Sequence, residues 1–463
     1  MTGDAMLKEP VTRPAGGGDG AAGPAREGIW PRVIREVADD LAADAPARDR
    51  AGKPPLDEVG RLKEAGLLAR LTPPRPGQQG ADWRSAAALV REIAAADGSV
   101  GELLAHHCAL AWSARFYGGP AGTTERGGSD GTQSGVQQGA RENGAQENIE
   151  PGSDRLDPAH GFESRTAHEQ WLLAGAVEPA GKERADCPIL SPAEGGYVLD
   201  GRQDLAAGVG VADRLVVGAR CPVTGDRLVA VVDPARPGVS TQNTHDLVGQ
   251  RLTGSGSVLF DRVAVPAEDI LGSTSRDEHA VRPRAALAPV ALRLLLTQVA
   301  LGVTEGALAE TRDVSRAASA APPSAGTDDG SLGNRLGEDP YVLLAYGELA
   351  TALHAAVAVV ERATDAVAQG LLAGPGLAVD DCADIAALVS AAETVTARSA
   401  VRITTRVLEL TGAFGAASHS PQGFDRFWRD ARALTLRIPA AHRLRDIGDH
   451  YLNGTRPGLA RRP

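Results

Sequence analysis

The side chains most able to do chemistry gather near the C-terminus, in Phe424-Asp-Arg-Phe-Trp-Arg-Asp-Ala-Arg432 and on to Pro439. A helix bearing Arg426, Phe427, Trp428, Arg429 and Arg432 cannot bury all of those faces in a plain apolar core. It suits the wall of a helical bundle that meets an anionic, aromatic ligand; the alternative is a solvated row of arginines with Trp428 packed inward. An apolar helix precedes it, with Ile403, Val407 and Leu410 at spacings of four and three, and is expected to end at Gly412. Upstream, His106 and His107 stand side by side on a helical stretch. Adjacent positions point about 100° apart on a helix, so they cannot face one metal ion as an i, i+4 pair does. The alternative for His107 is a hydrogen-bonded core histidine.

Holding such groups in place takes a large scaffold. At 463 residues the chain exceeds a single core, so two or three domains are expected. Hydrophobic residues make up 43% but aromatics only 3%, so the cores are built from Ala, Leu and Val, a composition that favours close-packed helices. The net charge of −11 leaves no basic footprint for nucleic acid or for an anionic membrane. Cys108, Cys187, Cys221 and Cys382 form no Cys-x-x-Cys pair and read as reduced thiols of a cytoplasmic protein, not as disulfides or a zinc site. No signal peptide opens the sequence, and no apolar run is expected to reach the ~20 residues that span a bilayer.

In chain order, residues 1–24 are rich in Gly, Pro and Ala and predict a disordered tail. Helical patterning begins at Trp30 and recurs from Leu56 to Leu71, from Trp83 to Ala96 and onward to Tyr117, giving an N-terminal helical domain over 25–118. Residues 119–160 have almost no large apolar side chains and read as a low-complexity insertion. Over 161–275, short apolar runs alternate with turn residues and predict a small antiparallel β domain, with Asp200-Gly201 as a hairpin turn. From 280 to 455 the stripes Leu292/Leu296/Val299/Val303, Leu349/Leu353/Val357/Val360 and Leu388/Ala392/Val395, with the helix from Phe424, predict a four-helix bundle. The fold class is therefore α+β and multidomain.

Several stretches resemble the acyl-CoA dehydrogenase superfamily. FDRFWRDARALTLRIP followed by YLNG is similar to its C-terminal signature, and Gly249–Gly272 resembles the segment that leads from its β domain into its bundle. Glu163-Ser-Arg-Thr-Ala-His-Glu169 resembles the Thr-Arg-Thr-Ala-His-Glu of the flavin-dependent monooxygenase branch, which includes dibenzothiophene monooxygenases and sulfur-acquisition oxidoreductases. The resemblance implies the three-part architecture read above, with a flavin (FMN or FAD) between the β domain and the bundle. It also implies a small-molecule substrate and a homotetramer or dimer in which a neighbouring subunit completes the site. Reduced flavin would come from a separate flavin reductase, since Gly208-Val-Gly210 lacks the third glycine and following helix of a dinucleotide fold. Cofactor binding falls by this resemblance to Arg165, Thr166, Ala207, Gly208, His245, Arg251, Thr253 and Asp430, and catalysis to His107 and Arg437.

The chain departs from the branch at the chemistry itself. The relatives carry histidines at the positions of Leu434 and Arg437, Asn at Asp430, Thr or Ser at Ala207, and Trp at His245. Arg437 can donate hydrogen bonds but cannot shuttle protons near neutral pH. Asp430 beside a reduced, anionic flavin calls for a partner such as Arg432 or Arg437. The catalytic Glu of many acyl-CoA dehydrogenases would fall at Ile438, so desaturation would need another carboxylate, such as Glu305 or Glu348. The insertion falls where the family has a helix and its first flavin-binding strand. The expected function is a flavin-dependent oxidoreductase, a monooxygenase using reduced flavin and O2 on a small organic substrate. The alternatives are an acyl-CoA dehydrogenase-type desaturase, or a non-catalytic paralogue that keeps only the fold and oligomer.

Overall fold

The computed structural model describes residues 28–75, 80–118, 158–177, 187–243, 247–277, 280–320, 338–416, 423–436 and 440–456. The predicted tail and nearly all of the predicted insertion lie outside these residues. Among the described residues, six helices come first: α1 (Trp30–Ala51), α2 (Leu56–Glu64), α3 (Leu67–Arg70), α4 (Trp83–Ala96), α5 (Gly98–Ala111) and α6 (Ser113–Tyr117). Local chemistry sets their ends. Asp82 and Asp97 cap α4 and α5 by accepting free N–H groups of the first turn. α1 stops at Gly52, whose left-handed φ of 57° returns its N–H to the Arg48 carbonyl. α5 is buried on nearly every face, as a helix at the centre of a molecule must be.

α7 (Pro158–His168) leads into eight strands: β1 (Leu173–Ala176), β2 (Ile189–Ala193), β3 (Gly196–Ala206), β4 (Arg214–Arg220), β5 (Arg227–Val232), β6 (Val239–Asn243), β7 (Gly256–Pro266) and β8 (Ile270–Thr274). They form one sheet in the order β6-β7-β3-β2-β4-β5-β8, with β1 beside β4. Most pairings are antiparallel, but β1–β4 and β2–β4 are parallel, so the sheet is mixed rather than purely antiparallel as its sequence predicts. α7 begins at Pro158, inside the 119–160 bounds of the predicted insertion, and β1 follows it. The predicted hairpin at Asp200-Gly201 is also corrected. β3 runs straight through these residues, its register against β7 slips between Leu199 and Gly201, and the β2–β3 turn is at Glu194-Gly195. A bulge uses the same positive φ as a turn, 117° at Gly201, which is why the two look alike in sequence.

Among the described residues, five helices follow: α8 (Pro283–Ala320), α9 (Pro340–Ala373), α10 (Val379–Ala416), α11 (Phe424–Thr435) and α12 (Ala440–Asn453). α10 passes the expected stop at Gly412 and continues to Ala416. The N-terminal helices and the bundle share one hydrophobic core, running from Leu41 and Leu62 through Val90 and Leu103 to Val303, Ile403 and Phe427. A smaller core, including Leu199, Leu215 and Phe260, belongs to the sheet. α4 and α8 touch backbone to backbone: a Cβ at Gly302 or Gly306 would collide with the carbonyls of Arg91 or Ala95. Contrary to the expectation from sequence, α8 and α9 are each long and apolar enough to cross a membrane by length and composition. The apolar window of α8 is 78% buried and makes it a core helix, whereas that of α9 is only 17% buried.

Candidate active site

Helix α5 is the spine on which sheet, N-terminal helices and bundle converge. At its start Ser99 Oγ accepts the Leu252 N–H at 3.3 Å. One turn on, Leu103 packs against Gly208, where φ is +78° and a Cβ would strike the leucine. A further turn brings His107, fully buried, with Nδ1 accepting the Leu173 N–H of β1 at 3.2 Å and Nε2 3.0 Å from the Leu68 carbonyl. Only the neutral ring with its proton on Nε2 satisfies both partners. Burial drives its pKa down to about 4, so it is uncharged near neutrality. Both nitrogens are spent on backbone. His107 therefore clamps α3, α5 and β1 together.

Asp430 approaches the same spine from α11. It is buried, its Oδ1 accepts the Gln250 N–H at 2.6 Å, and Oδ2 faces Gly98. Burial pushes its carboxyl up to about 7, with the Gln250 N–H opposing and the charges of Asp49 and Asp97 adding to the rise. Turned to satisfy its neighbours, the Gln250 amide donates to the Gly98 carbonyl at 2.9 Å and to Glu102 Oε2 at 2.8 Å. Arg48 bridges Asp97 at 2.8 Å and Glu58 at 3.0 Å beside this cluster. Arg429 reaches back to Asp49, and Arg426 to Glu310 at 2.6 Å. Two of the three arginines that suggested an anionic ligand are thus internal ion-pair partners. Asp430 pairs with backbone, not with Arg432.

The other candidates divide. Ala207, Gly208, Arg251 and Thr253 join Asp430 around the first half of α5, with the Gly208 N–H on the Thr253 carbonyl at 2.8 Å and Thr253 Oγ1 2.7 Å from Ser255 Oγ. Arg251 is half-buried next to Gly52 and has no ion-pair or hydrogen-bond partner among the described residues. Arg165 and Thr166 do not join them. Arg165 is exposed, lies over the Trp171 ring and is 3.9 Å from Asp269. The Thr166 hydroxyl is buried and donates to the Phe162 carbonyl of its own helix at 2.8 Å. His245 and Arg437 lie outside the described residues.

A flavin calls for small groups against its ring and a cation for its phosphate. Ala207, Gly208 and the uncommitted guanidinium of Arg251 fit that requirement in kind. The carboxylates considered for desaturation are engaged elsewhere, Glu305 with Arg91 at 2.7 Å and Glu348 with Arg402 at 2.9 Å.

Two cavities flank the C-terminal end of α11, and both touch Ala397 and Thr435. The smaller, of about 40 Å³, lies between α8, α10, α11 and α12 and is bounded by Arg293, Glu393, Thr396, Leu434 and Arg443. Arg293 Nε is 3.2 and 3.1 Å from the two Glu393 oxygens, and Arg443 Nε is 3.1 Å from Oε2. The larger, of about 560 Å³, is an open groove where Arg398, Arg402, Arg406 and Arg432 face Glu348 and Glu409. Sequence reasoning missed the smaller cavity. Its available signal was a lone charge in each of two apolar helical stretches, Arg293 within ALRLLLTQVALG and Glu393 within ALVSAAETVTA.

The chain matches the acyl-CoA dehydrogenase N-terminal domain over residues 28–121 and the C-terminal domain over residues 294–439. It is 30% identical over 451 residues to a dibenzothiophene monooxygenase of Rhodococcus erythropolis, covering 94% of this chain and 98% of that one. A probable FMNH2-dependent monooxygenase, SfnC of Pseudomonas putida, is 29% identical over 92% of this chain and 95% of its own length. Among solved structures, FMN-bound TdsC from a Paenibacillus species superposes with a TM-score of 0.76 at 28% identity, covering 93% of this chain and 99% of that one.

Proposed function

Because this chain belongs to the acyl-CoA dehydrogenase family, among its flavin-dependent monooxygenases, we propose that it uses reduced FMN and O2 to oxygenate a small organic molecule. The observation that carries this reading is the 30% identity to a dibenzothiophene monooxygenase over nearly the full length of both chains. When bound, reduced flavin supplies the electrons that activate O2, so that one oxygen atom passes to the substrate. The rest falls to the chain's own residues. Gly208 lets the backbone come close to α5, and Arg251 would take the flavin's phosphate. Leu434 is buried near the end of α11 and carries no proton to exchange. With His107 locked, Asp430 is the group at this junction that exchanges a proton near neutral pH.

FMN is favoured over FAD by what TdsC and SfnC are described as using, and a separate reductase is the expected source of its reduced form. Helix α9 supports a dimer or tetramer: Tyr341, Leu343, Leu344 and Leu372 are all exposed on it, an apolar surface that a second subunit would cover. A helical region over 25–118, a β region over 161–275 and a bundle over 280–455 complete the proposed organisation. A non-catalytic scaffold is the second reading, favoured by the spent nitrogens of His107 and the apolar Leu434.

Titration of the purified protein with FMN and FAD, read by flavin fluorescence, separates the two. Quenching at micromolar flavin, followed by product one oxygen atom heavier than substrate when a reductase and NADH are added, is the expected result. Absence of quenching with both flavins leaves the scaffold reading.

A further inference from the structure

We infer that the small cavity between Arg293, Glu393 and Arg443 is a subsite for the anionic head of a small organic acid, a carboxylate or a sulfinate on a short apolar tail. The subsite stands on its own geometry. Its assignment to the substrate rests on the monooxygenase reading.

Charge comes first. Two guanidinium groups enclose one carboxylate, which leaves an excess positive charge among side chains that are 17%, 7% and 8% exposed. A buried excess charge is costly unless an anion balances it. Burial lowers the Arg443 pKa, with Glu393 opposing the shift and Arg293 adding to it. Hydrogen bonding comes second. Thr396 Oγ1 is buried on the cavity wall without a hydrogen-bond partner among the described residues. Arg443 Nε lines the same cavity and, although close to Glu393, is not aligned to donate to it. On the same helix as Thr396, Ser390, Thr394 and Thr404 each donate to the carbonyl four residues earlier, and Thr396 does not. Its hydroxyl is free for a ligand, which a purely structural Arg–Glu–Arg clamp would not require.

Size and position fit an acid head. A cavity of about 40 Å³ has room for about three water-sized groups, the extent of a carboxylate or sulfinate. Leu296, Ala300 and Leu434 offer apolar wall to a short tail, and the adjoining groove leaves space for a longer one. Leu434 follows Asp430 by four residues on one face of α11, so the subsite begins about 6 Å of helix rise from the junction that would hold the flavin.

The test is calorimetric titration of the full-length protein in low-chloride buffer with acetate and methanesulfinate, against the neutral isosteres acetamide and dimethyl sulfoxide. At least one anion should bind about tenfold or more tightly than its neutral counterpart, and the tighter of the two identifies the acid class. Thr396→Val should weaken that binding by about tenfold without lowering the melting temperature, because it removes only a hydroxyl with no internal partner. Arg443→Gln should abolish it, and both variants should quench flavin as the parent does. Equal binding of anion and isostere, no binding of either anion, or unchanged affinity in Thr396→Val would overturn the proposal. Anion binding without flavin binding would sink the monooxygenase reading and leave the subsite; flavin binding without anion binding would do the reverse.

Discussion

The backbone N–H of Gln250 donates to the buried carboxylate of Asp430 across 2.6 Å, and this bond fastens the bundle to the loop ahead of β7. An asparagine side chain in its place could accept the same bond without a charge to bury. The folded protein raises the Asp430 pKa from 3.8 to about 7, so it binds that proton more tightly than the unfolded chain does. Stability from this group is complete below the unfolded pKa and is lost as pH rises through the folded one. Asp430→Asn should therefore be more stable than the parent by roughly 1–3 kcal/mol above neutrality, with the gap closing as pH falls towards 4. Urea melts followed by circular dichroism at about pH 5 and about pH 8 measure it.

His107 slopes the other way. Its folded pKa lies near 4, below the ordinary 6.5, so its contribution is complete above 6.5 and is lost as pH falls through 4. His107→Phe leaves the Leu173 N–H and the Leu68 carbonyl without partners and should cost roughly 2–4 kcal/mol at neutral pH. That deficit should shrink on acidification. Between about 4 and 6.5 the two groups oppose each other, so the parent's stability should vary less with pH than that of either single variant.

Arg48 carries two buried carboxylates, Glu58 and Asp97, where α1, α2 and α5 meet. Arg48→Ala strands both and should destabilise the protein by roughly 3–5 kcal/mol. Lysine keeps the charge but not the forked geometry and should fall between the two in a chemical melt.

Gly306 tests whether packing or propensity governs the α4–α8 contact. Alanine gains about 1 kcal/mol of helix propensity over glycine, yet its methyl would collide with the Ala95 carbonyl. Packing should win, with Gly306→Ala lowering stability by roughly 1–3 kcal/mol. A raised melting temperature would mean that the helices can separate freely.

The exposed stripe on α9 gives a test of assembly. Leu343→Glu with Leu344→Glu places two charges where a subunit contact is proposed and should shift the mass seen by light scattering towards the monomer. An unchanged mass would put the contact elsewhere.

The sequence exposed the parts of this fold that repeat over short distances. Leu292, Val299 and Val303 announce a helix because the period lies within one element, and the Phe424–Arg432 helix stands out by composition alone. β1 was illegible as a parallel strand because its four residues carry no alternation, and its partner β4 begins 41 residues later, with Leu173 opposite Arg214. The site was harder still. His107 was legible as a candidate, but whether a buried histidine meets a ligand or two backbone groups depends on Leu68 and Leu173, neither of which has any sequence signature. The Arg293–Glu393–Arg443 cluster joins three helices, and no local spacing encodes such a meeting.

α6 ends at Tyr117 and α7 starts at Pro158, and both margins are fastened down. Arg115 and Arg75 share Glu163, at 3.3 and 2.7 Å, and Arg282 binds the carbonyl oxygens of Tyr117 and Gly118. None of these contacts draws on the residues between the two margins, so a protein engineer can replace that sequence and expect α6 and α7 to keep their places.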